Sequence, residues 1–100
     1  MAVTVVWDMW LKPGAEAEGL RLWRKVWSDM RSFEGYLSHE ILVDEDAPSH
    51  NIALSRWRSR SDAEQALKQY KDSETIRQLS PLLARPRERW VTSVDEPPTA

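Results

Sequence analysis

The order of six hydrophobic segments constrains the fold of this chain more than any single motif does. Four segments are rich in β-branched and aromatic residues, and the stretches between them repeat apolar residues at helical spacing. The predicted strands are Val3–Leu11, Tyr36–Val43, Asn51–Trp57 and Arg89–Val94, and the predicted helices lie within Ala15–Arg31 and after Ser59. This order predicts a ferredoxin-like βαββαβ domain of the α+β class, with a four-stranded antiparallel sheet.

The first predicted strand is apolar on both of its faces. One face would carry Val3, Val5, Trp7, Met9 and Leu11, while Val6 and Trp10 lie on the other. Two helical regions can cover only one side of a four-stranded sheet, so the remaining apolar face needs another cover. We therefore expect a homodimer that pairs through the sheet faces.

The first helix is predicted from an apolar stripe formed by Leu20, Trp23, Val26, Trp27 and Met30. Gly19 disfavours the helix by about 1 kcal/mol relative to alanine, which suggests that packing or a ligand requires a close approach there. Two overlapping capping patterns, Ser59 with Asp62 and Ser61 with Glu64, precede the second helical region. Its stripe is Ala63, Ala66, Leu67 and Tyr70, interrupted at 71–73 and continued by Ile76, Leu79, Leu82 and Leu83.

Composition excludes several classes of function. The 100 residues correspond to one domain, with an ordered core at about 3–95 and a flexible tail at 96–100. Sixteen acidic residues are mixed with fourteen basic ones, so we expect no nucleic-acid partner. Cysteine is absent, and no apolar run approaches the roughly 20 residues of a membrane helix. No leader segment is recognisable, and we expect a cytoplasmic protein that has no membrane partner.

Six tryptophans are the compositional anomaly of the chain. Clustered indoles can fill a core or line a flat slot for an aromatic ligand, and both interpretations remain open at this point. In the functional interpretation, four of them meet between sheet and helices and bind a small planar molecule. These candidate substrate-binding residues are Trp7, Trp23, Trp27 and Trp57.

The candidate proton-transfer residues are few. His39 lies in the second strand with Leu37 and Ile41 as expected neighbours on its face, so it is a candidate catalytic base or a structural histidine. Tyr70 can donate a hydrogen bond at a pocket mouth or cap the core. His50 follows an acidic loop and is expected in a solvated turn, without a metal site. Arg56 and Arg77 are candidates for stabilising an anionic ligand.

Three segments resemble the antibiotic biosynthesis monooxygenase family. They are Lys12-Pro13-Gly14 after the first strand, Gly35-Tyr36-Leu37 before the second, and Ala53–Ser59 leading into a helix. The resemblance spans about residues 3–95 and implies a dimeric α/β barrel with a pocket between sheet and helices. Members include cofactor-free oxygenases that convert polycyclic phenols to quinones, small quinol monooxygenases and haem-degrading enzymes.

The chain departs from the catalytic subfamilies at marked positions. Haem degraders carry an Asn, a Trp and a His where this chain has Trp7, Ala66 and a residue near Leu79, which disfavours haem. Many quinol-oxidising members have a histidine early in the second helix, where Ala66 stands here. The resemblance implies a monooxygenase without cofactor, acting on an aromatic or quinol-type substrate with His39 or Tyr70 as proton acceptor. The alternative is a noncatalytic ligand-binding or structural barrel of the same fold.

Overall fold

A computed structural model describes all 100 residues and confirms the predicted βαββαβ order. The second helical region consists of two helices and a short 3₁₀ turn. The elements are β1 (Val3–Trp10), α1 (Glu16–Met30), β2 (Tyr36–Val43), β3 (His50–Trp57), α2 (Arg60–Tyr70), α3 (Glu74–Leu79), the 3₁₀ turn (Ser80–Leu82) and β4 (Glu88–Thr92). No helix has the length and apolar character needed to cross a membrane.

The four strands form one antiparallel sheet in the order β2-β3-β1-β4. In the two central strands, every second residue is buried except for the half-buried Trp7, as a strand packed on one face requires. We call this side the covered face; it includes Val5, Trp7, Ala53, Ser55 and Trp57. The opposite side is half-buried or exposed, and we call it the open face; it includes Val6, Trp10, Leu42, Ile52, Leu54 and Trp90.

Helix α1 packs its tryptophans inward, but its stripe differs from the predicted one by one leucine. Leu22 is buried together with Trp23 and Trp27, whereas Leu20 is only half-buried. Gly19 is also buried, and a Cβ atom there would lie 2.4 Å from the side chain of Leu11. Packing of the β1 end against α1 therefore explains this glycine without a ligand.

The second helical region starts at the first of the two capping patterns. Ser59 is the N-cap of α2: its hydroxyl accepts a hydrogen bond from the Asp62 amide at 3.1 Å and donates one to the Asp62 carboxylate. The Ser61 pattern lies inside the helix and does not begin it. Ser73 caps α3 in the same way, by accepting from the Ile76 amide. The interruption predicted at 71–73 is confirmed.

Strand β2 contains an irregularity that alternation alone does not predict. Tyr36 lies opposite Trp57 and Ser38 opposite Arg56, so Leu37 is an extra residue in the strand. Because of this bulge, Tyr36 and His39 both lie on the covered face, although they are three residues apart. The expectation that Leu37 shares a face with His39 was wrong, and Leu37 is 54% exposed.

Candidate functional site

Three tryptophans meet between the covered face and α1. Trp23 and Trp27 are one helical turn apart, and their rings pack edge to face with centroids 5.4 Å apart. The Trp7 ring meets that of Trp23 at 6.2 Å, again edge to face. Trp23 and Trp27 are almost completely buried, whereas Trp7 is half-buried. Three of the four candidate tryptophans therefore lie together, in a geometry that aromatic pairs favour.

Two small clefts border this cluster. The first lies between α1, α2 and α3 and includes Trp7, Trp23, Tyr70 and Arg87, and the second lies over Val5, Trp57 and Arg89. Trp7, Trp27, Met30 and Leu67 line both clefts and so form the partition between them. Each cleft has a cavity of about 20 Å³, which admits about one water molecule.

Trp57 belongs to the second cleft and is held by a hydrogen bond. It is 2% exposed, and its indole N–H donates to the Ser55 hydroxyl at 3.0 Å. The ring of Tyr36 packs edge to face on Trp57 with centroids 5.8 Å apart. All four tryptophans proposed from the sequence therefore line a cleft, although Trp23 lines only the first and Trp57 only the second.

Tyr70 lines the first cleft, but its hydroxyl is already hydrogen-bonded to another residue of the chain. Its hydroxyl donates a hydrogen bond to the Asp29 carboxylate at 2.6 Å. Burial, and then this bond, raise the pKa of Tyr70, while the bond lowers the pKa of Asp29. Tyr70 is therefore a neutral phenol at neutral pH, and its oxygen can accept a hydrogen bond from a ligand more readily than it can remove a proton.

His39 lies outside both clefts, behind Trp27. Its ring centroid is 6.0 Å from that of Trp27, and its Nδ1 atom shares a hydrogen bond of 2.5 Å with the Tyr36 hydroxyl. Burial, with a smaller contribution from the charge of Arg31, lowers the pKa of His39 and favours the neutral ring. If Nδ1 carries the proton, the Nε2 atom is free to act as a base.

His50 is not in a solvated turn, contrary to the sequence interpretation. It begins β3, its side chain is 17% exposed, and it bridges the carboxylates of Asp8 and Asp44. The ring also stacks on Trp10, with centroids 4.2 Å apart. The bond to Asp44, and then that to Asp8, raise the pKa of His50. Both ring nitrogens are occupied, so His50 clamps β1, β3 and the preceding loop together.

The candidate cationic residues from the sequence, Arg56 and Arg77, line neither of the two clefts. Arg56 is exposed in β3, and Arg77 is exposed on α3 beside Glu74. The clefts instead contain Arg87 and Arg89, which sequence reasoning missed. Alternation in the last strand would have placed Arg89 on the face of Val91, but nothing local signals the position of Arg87. No group of three or more His, Asp or Glu side chains stands where it could ligate a metal ion.

The fold has close counterparts among solved structures. SnoaB, a cofactor-independent oxygenase from Streptomyces nogalater, superposes with a TM-score of 0.85 at 19% identity, covering 96% of this chain and 95% of that one. Rv0793 from Mycobacterium tuberculosis gives 0.79 at 19% identity, covering 99% and 100%. A putative antibiotic biosynthesis monooxygenase from Nitrosomonas europaea gives 0.79 at 15% identity, covering 96% and 92%. At such identities the likeness establishes the fold.

The sequence itself carries the family relationship. No curated protein shows significant similarity to the chain. Residues 2–80 match the family model described as antibiotic biosynthesis monooxygenase, a stretch that runs from β1 into the 3₁₀ turn and contains all four cleft tryptophans. The chain belongs to the antibiotic biosynthesis monooxygenase family.

Proposed function

We propose that this protein is a cofactor-independent monooxygenase that oxidises a small aromatic or quinol-type substrate between the sheet and the helices. The observation that carries the proposal is the partition between the two clefts. Four residues line both clefts, and two of them, Met30 and Leu67, have flexible side chains. In this proposal, rotation of these two side chains joins the clefts into one slot bordered by Trp7, Trp27 and Trp57.

The proposed reaction uses molecular oxygen as the only co-reactant. A methylene carbon or a ring hydroxyl of the substrate loses a proton, and the resulting carbanion or phenolate passes one electron to O₂. The two radicals combine, the O–O bond breaks, and water leaves, so that one CH₂ and one O₂ become one C=O and one H₂O. The substrate supplies the electrons, and the protein supplies a dry, oriented site.

The tryptophans, Tyr70 and His39 have different roles in the proposed reaction. The tryptophans orient the ring and exclude water, and the Tyr70 oxygen accepts a hydrogen bond from a substrate hydroxyl. His39 is the candidate base because the lowered pKa keeps it neutral. It acts from behind Trp27, whose ring must tilt to give the Nε2 atom access to the slot. The SnoaB structure supports this proposal, since that neighbour is described as a cofactor-independent oxygenase.

Oxygen consumption with a panel of reduced quinols and anthrone-like phenols tests the proposal. We expect one O₂ consumed per quinone formed, above the rate without protein, and a loss of turnover in His39→Ala and Trp57→Phe. Trp90→Phe is the matched control, because Trp90 is 48% exposed on the open face and should leave turnover unchanged. Equal rates with and without protein across the panel would contradict the proposal.

The alternative function is a noncatalytic binding or structural barrel. The small size of both cavities and the position of His39 outside them favour it. Titration of the intrinsic tryptophan fluorescence with polycyclic phenols separates a binding slot from a packed core. Saturable quenching without oxygen consumption would establish a binding protein, whereas no quenching would establish a core.

We also propose a homodimer in which the open faces of two sheets cover each other. Val6, Ile52 and Leu54 form the centre of an apolar surface on that face, flanked by Leu42 and the exposed Trp90. Light scattering at micromolar concentration should give twice the chain mass. Leu54→Asp should give a folded monomer, because a carboxylate buried without a partner opposes association. Leu37→Asp, at the exposed bulge, is the control. A wild-type monomer would contradict the dimer.

A further inference from the structure

Arg87 occupies an unusual position for a charged residue. It lies just before β4, and its half-buried side chain lines the first cleft. The guanidinium carbon is 4.8 Å from the centroid of the Trp7 ring and 5.4 Å from that of Trp23. These distances are typical of cation–π contacts, which hold the guanidinium against the aromatic wall of the cleft.

No acidic group compensates this charge. Arg87 takes part in none of the ion pairs of the chain and in none of its side-chain hydrogen bonds. Burial alone lowers its pKa, but an arginine remains protonated at neutral pH. Charges that are partly withdrawn from water are usually paired in proteins, so the first cleft holds a half-buried cation whose partner the chain does not provide.

The hydrogen-bonding groups around Arg87 add to this imbalance. The indole N–H groups of Trp23 and Trp27 are buried and have no acceptor. The carboxylate of Asp29, next to the cleft, is already bonded to Tyr70 and Lys25. The residues of the first cleft therefore offer more donors than acceptors, together with a positive charge.

We propose that Arg87 and Trp7 form a subsite for the anionic oxygen of an aromatic ligand, carried as a carboxylate or as a phenolate. The ring of the ligand lies along the tryptophans, and its oxygen accepts hydrogen bonds from the guanidinium. The subsite rests on the proposed function, because it names the chemistry of the molecule bound in that slot. Arg87 lies outside residues 2–80, so the family match assigns it no role.

The chain offers two arginines for comparison. Arg89 lines the second cleft but donates to Glu64 at 2.9 Å, so its charge is paired. Arg85 reproduces the cation–π geometry on the open face, with its guanidinium carbon 4.6 Å from the Trp10 ring, and its side chain is exposed. Arg85→Met is therefore the control for Arg87→Met, since each removes one guanidinium that packs on tryptophan, one ring for Arg85 and two for Arg87.

Calorimetric titration with 2-naphthoate and 2-naphthol at neutral pH tests the subsite, because the two ligands have the same ring and differ in charge. We expect the wild type to bind naphthoate about 10- to 100-fold more tightly. Arg87→Met should abolish this preference, Arg87→Lys should keep part of it, and Arg85→Met should keep all of it. A melting curve for each variant checks that the fold is intact.

A third ligand, 7-hydroxycoumarin, separates the two sources of the anionic oxygen, because its absorbance reports its ionisation. If the subsite also takes phenolates, binding lowers the apparent pKa of the coumarin in the wild type but not in Arg87→Met. If that pKa does not change while naphthoate is preferred, the subsite takes carboxylates.

Two results would overturn the proposal in distinguishable ways. Equal binding of naphthoate and naphthol, unaffected by Arg87→Met, would leave the slot of the proposed function intact but remove the anionic subsite. If none of the three ligands binds the wild type, the slot itself is absent, and the proposed function falls together with the subsite.

Discussion

The covered and open faces of the sheet carry similar residue types in different surroundings. Each face has a histidine packed against a tryptophan, His39 with Trp27 and His50 with Trp10. Burial lowers the pKa of His39, whereas hydrogen bonds to two carboxylates raise that of His50. Identical side chains thus acquire pKa shifts of opposite direction from their surroundings alone.

Polar groups on the two faces also differ in how well they are satisfied. On the open face, His50 and Asp8 are bonded to each other, and Asp44 completes the cluster. On the covered side, Trp23, Trp27, Asn51 and Arg89 each have a buried polar atom without a partner, and Arg87 has no counter-ion. Because unpaired buried groups cost stability, we expect the one that lies outside both clefts, on Asn51, to be removable, whereas under the proposed function those that line the clefts face the ligand.

The largest difference between the faces should appear when a tryptophan is truncated. Trp27 is 2% exposed and lines both clefts, so Trp27→Ala should lower the free energy of unfolding by about 3–5 kcal/mol. Trp10→Ala on the open face should cost less, since Trp10 is half-buried. Urea unfolding at one fixed protein concentration measures both. Equal losses would show that the open face is packed as tightly as the core.

Asn51 allows the opposite change, a gain in stability. Its side chain is fully buried in β3, opposite Met9 and Val43, and both amide atoms lack a partner. It lines neither cleft. Asn51→Leu is close in size and removes the unsatisfied groups, so we expect a gain of about 1–3 kcal/mol in urea unfolding.

A loss in Asn51→Leu would mean that a bound water satisfies the amide. The same substitution has no equivalent on the open face, where the polar side chains are half-buried or exposed and His50 is bonded to Asp8 and Asp44. The result therefore shows whether an unpaired polar group on the covered side lowers the free energy of unfolding when it lies outside the clefts.

Trp57→Phe should change the free energy of unfolding less than Trp27→Ala or Asn51→Leu does. It keeps most of the ring but removes the N–H that donates to Ser55, which leaves a buried hydroxyl without this bond. We expect a loss of about 1 kcal/mol, together with weaker binding of an aromatic ligand. Trp90→Phe, on the open face, should change neither quantity. An unchanged stability in Trp57→Phe would show that the Ser55 hydroxyl finds another partner.

These contrasts also show what the sequence can predict. The covered face of β1 follows from alternation, and the start of α2 follows from Ser59 and Asp62, because both depend on neighbours in sequence. The position of Tyr36 on the face of His39 depends on the bulge at Leu37, which shifts the residue before it to the other face. A local pattern contains no signal for such an insertion.

Contacts between residues far apart in sequence explain why the positions of His50 and Arg87 were not predicted. His50 depends on Asp8, 42 residues away, and Arg87 owes its position to Trp7 and Trp23. The tryptophan cluster was predictable because its members occupy regular positions on β1 and α1. The charged residues around it were not, since their partners are set by how β4 and the loops meet the sheet.

The smallest predicted effect is the opposite pH dependence of the two histidines. The pKa of His39 is lowered in the folded state. Below about pH 6.5 the unfolded chain therefore binds more protons than the folded chain does. As a result, the stability that the neutral ring contributes is lost as the pH falls. The folded pKa of His50 is raised, so its contribution to stability is complete below about pH 6.5 and is lost as the pH rises through the raised value.

Urea midpoints between pH 5 and 8.5 for wild type, His39→Gln and His50→Gln measure both pH dependences. The advantage of the wild type over His39→Gln should grow with pH, whereas its advantage over His50→Gln should shrink. Parallel curves would show that the two faces present the same environment to a histidine, and the contrast between them would then rest on the arginines alone.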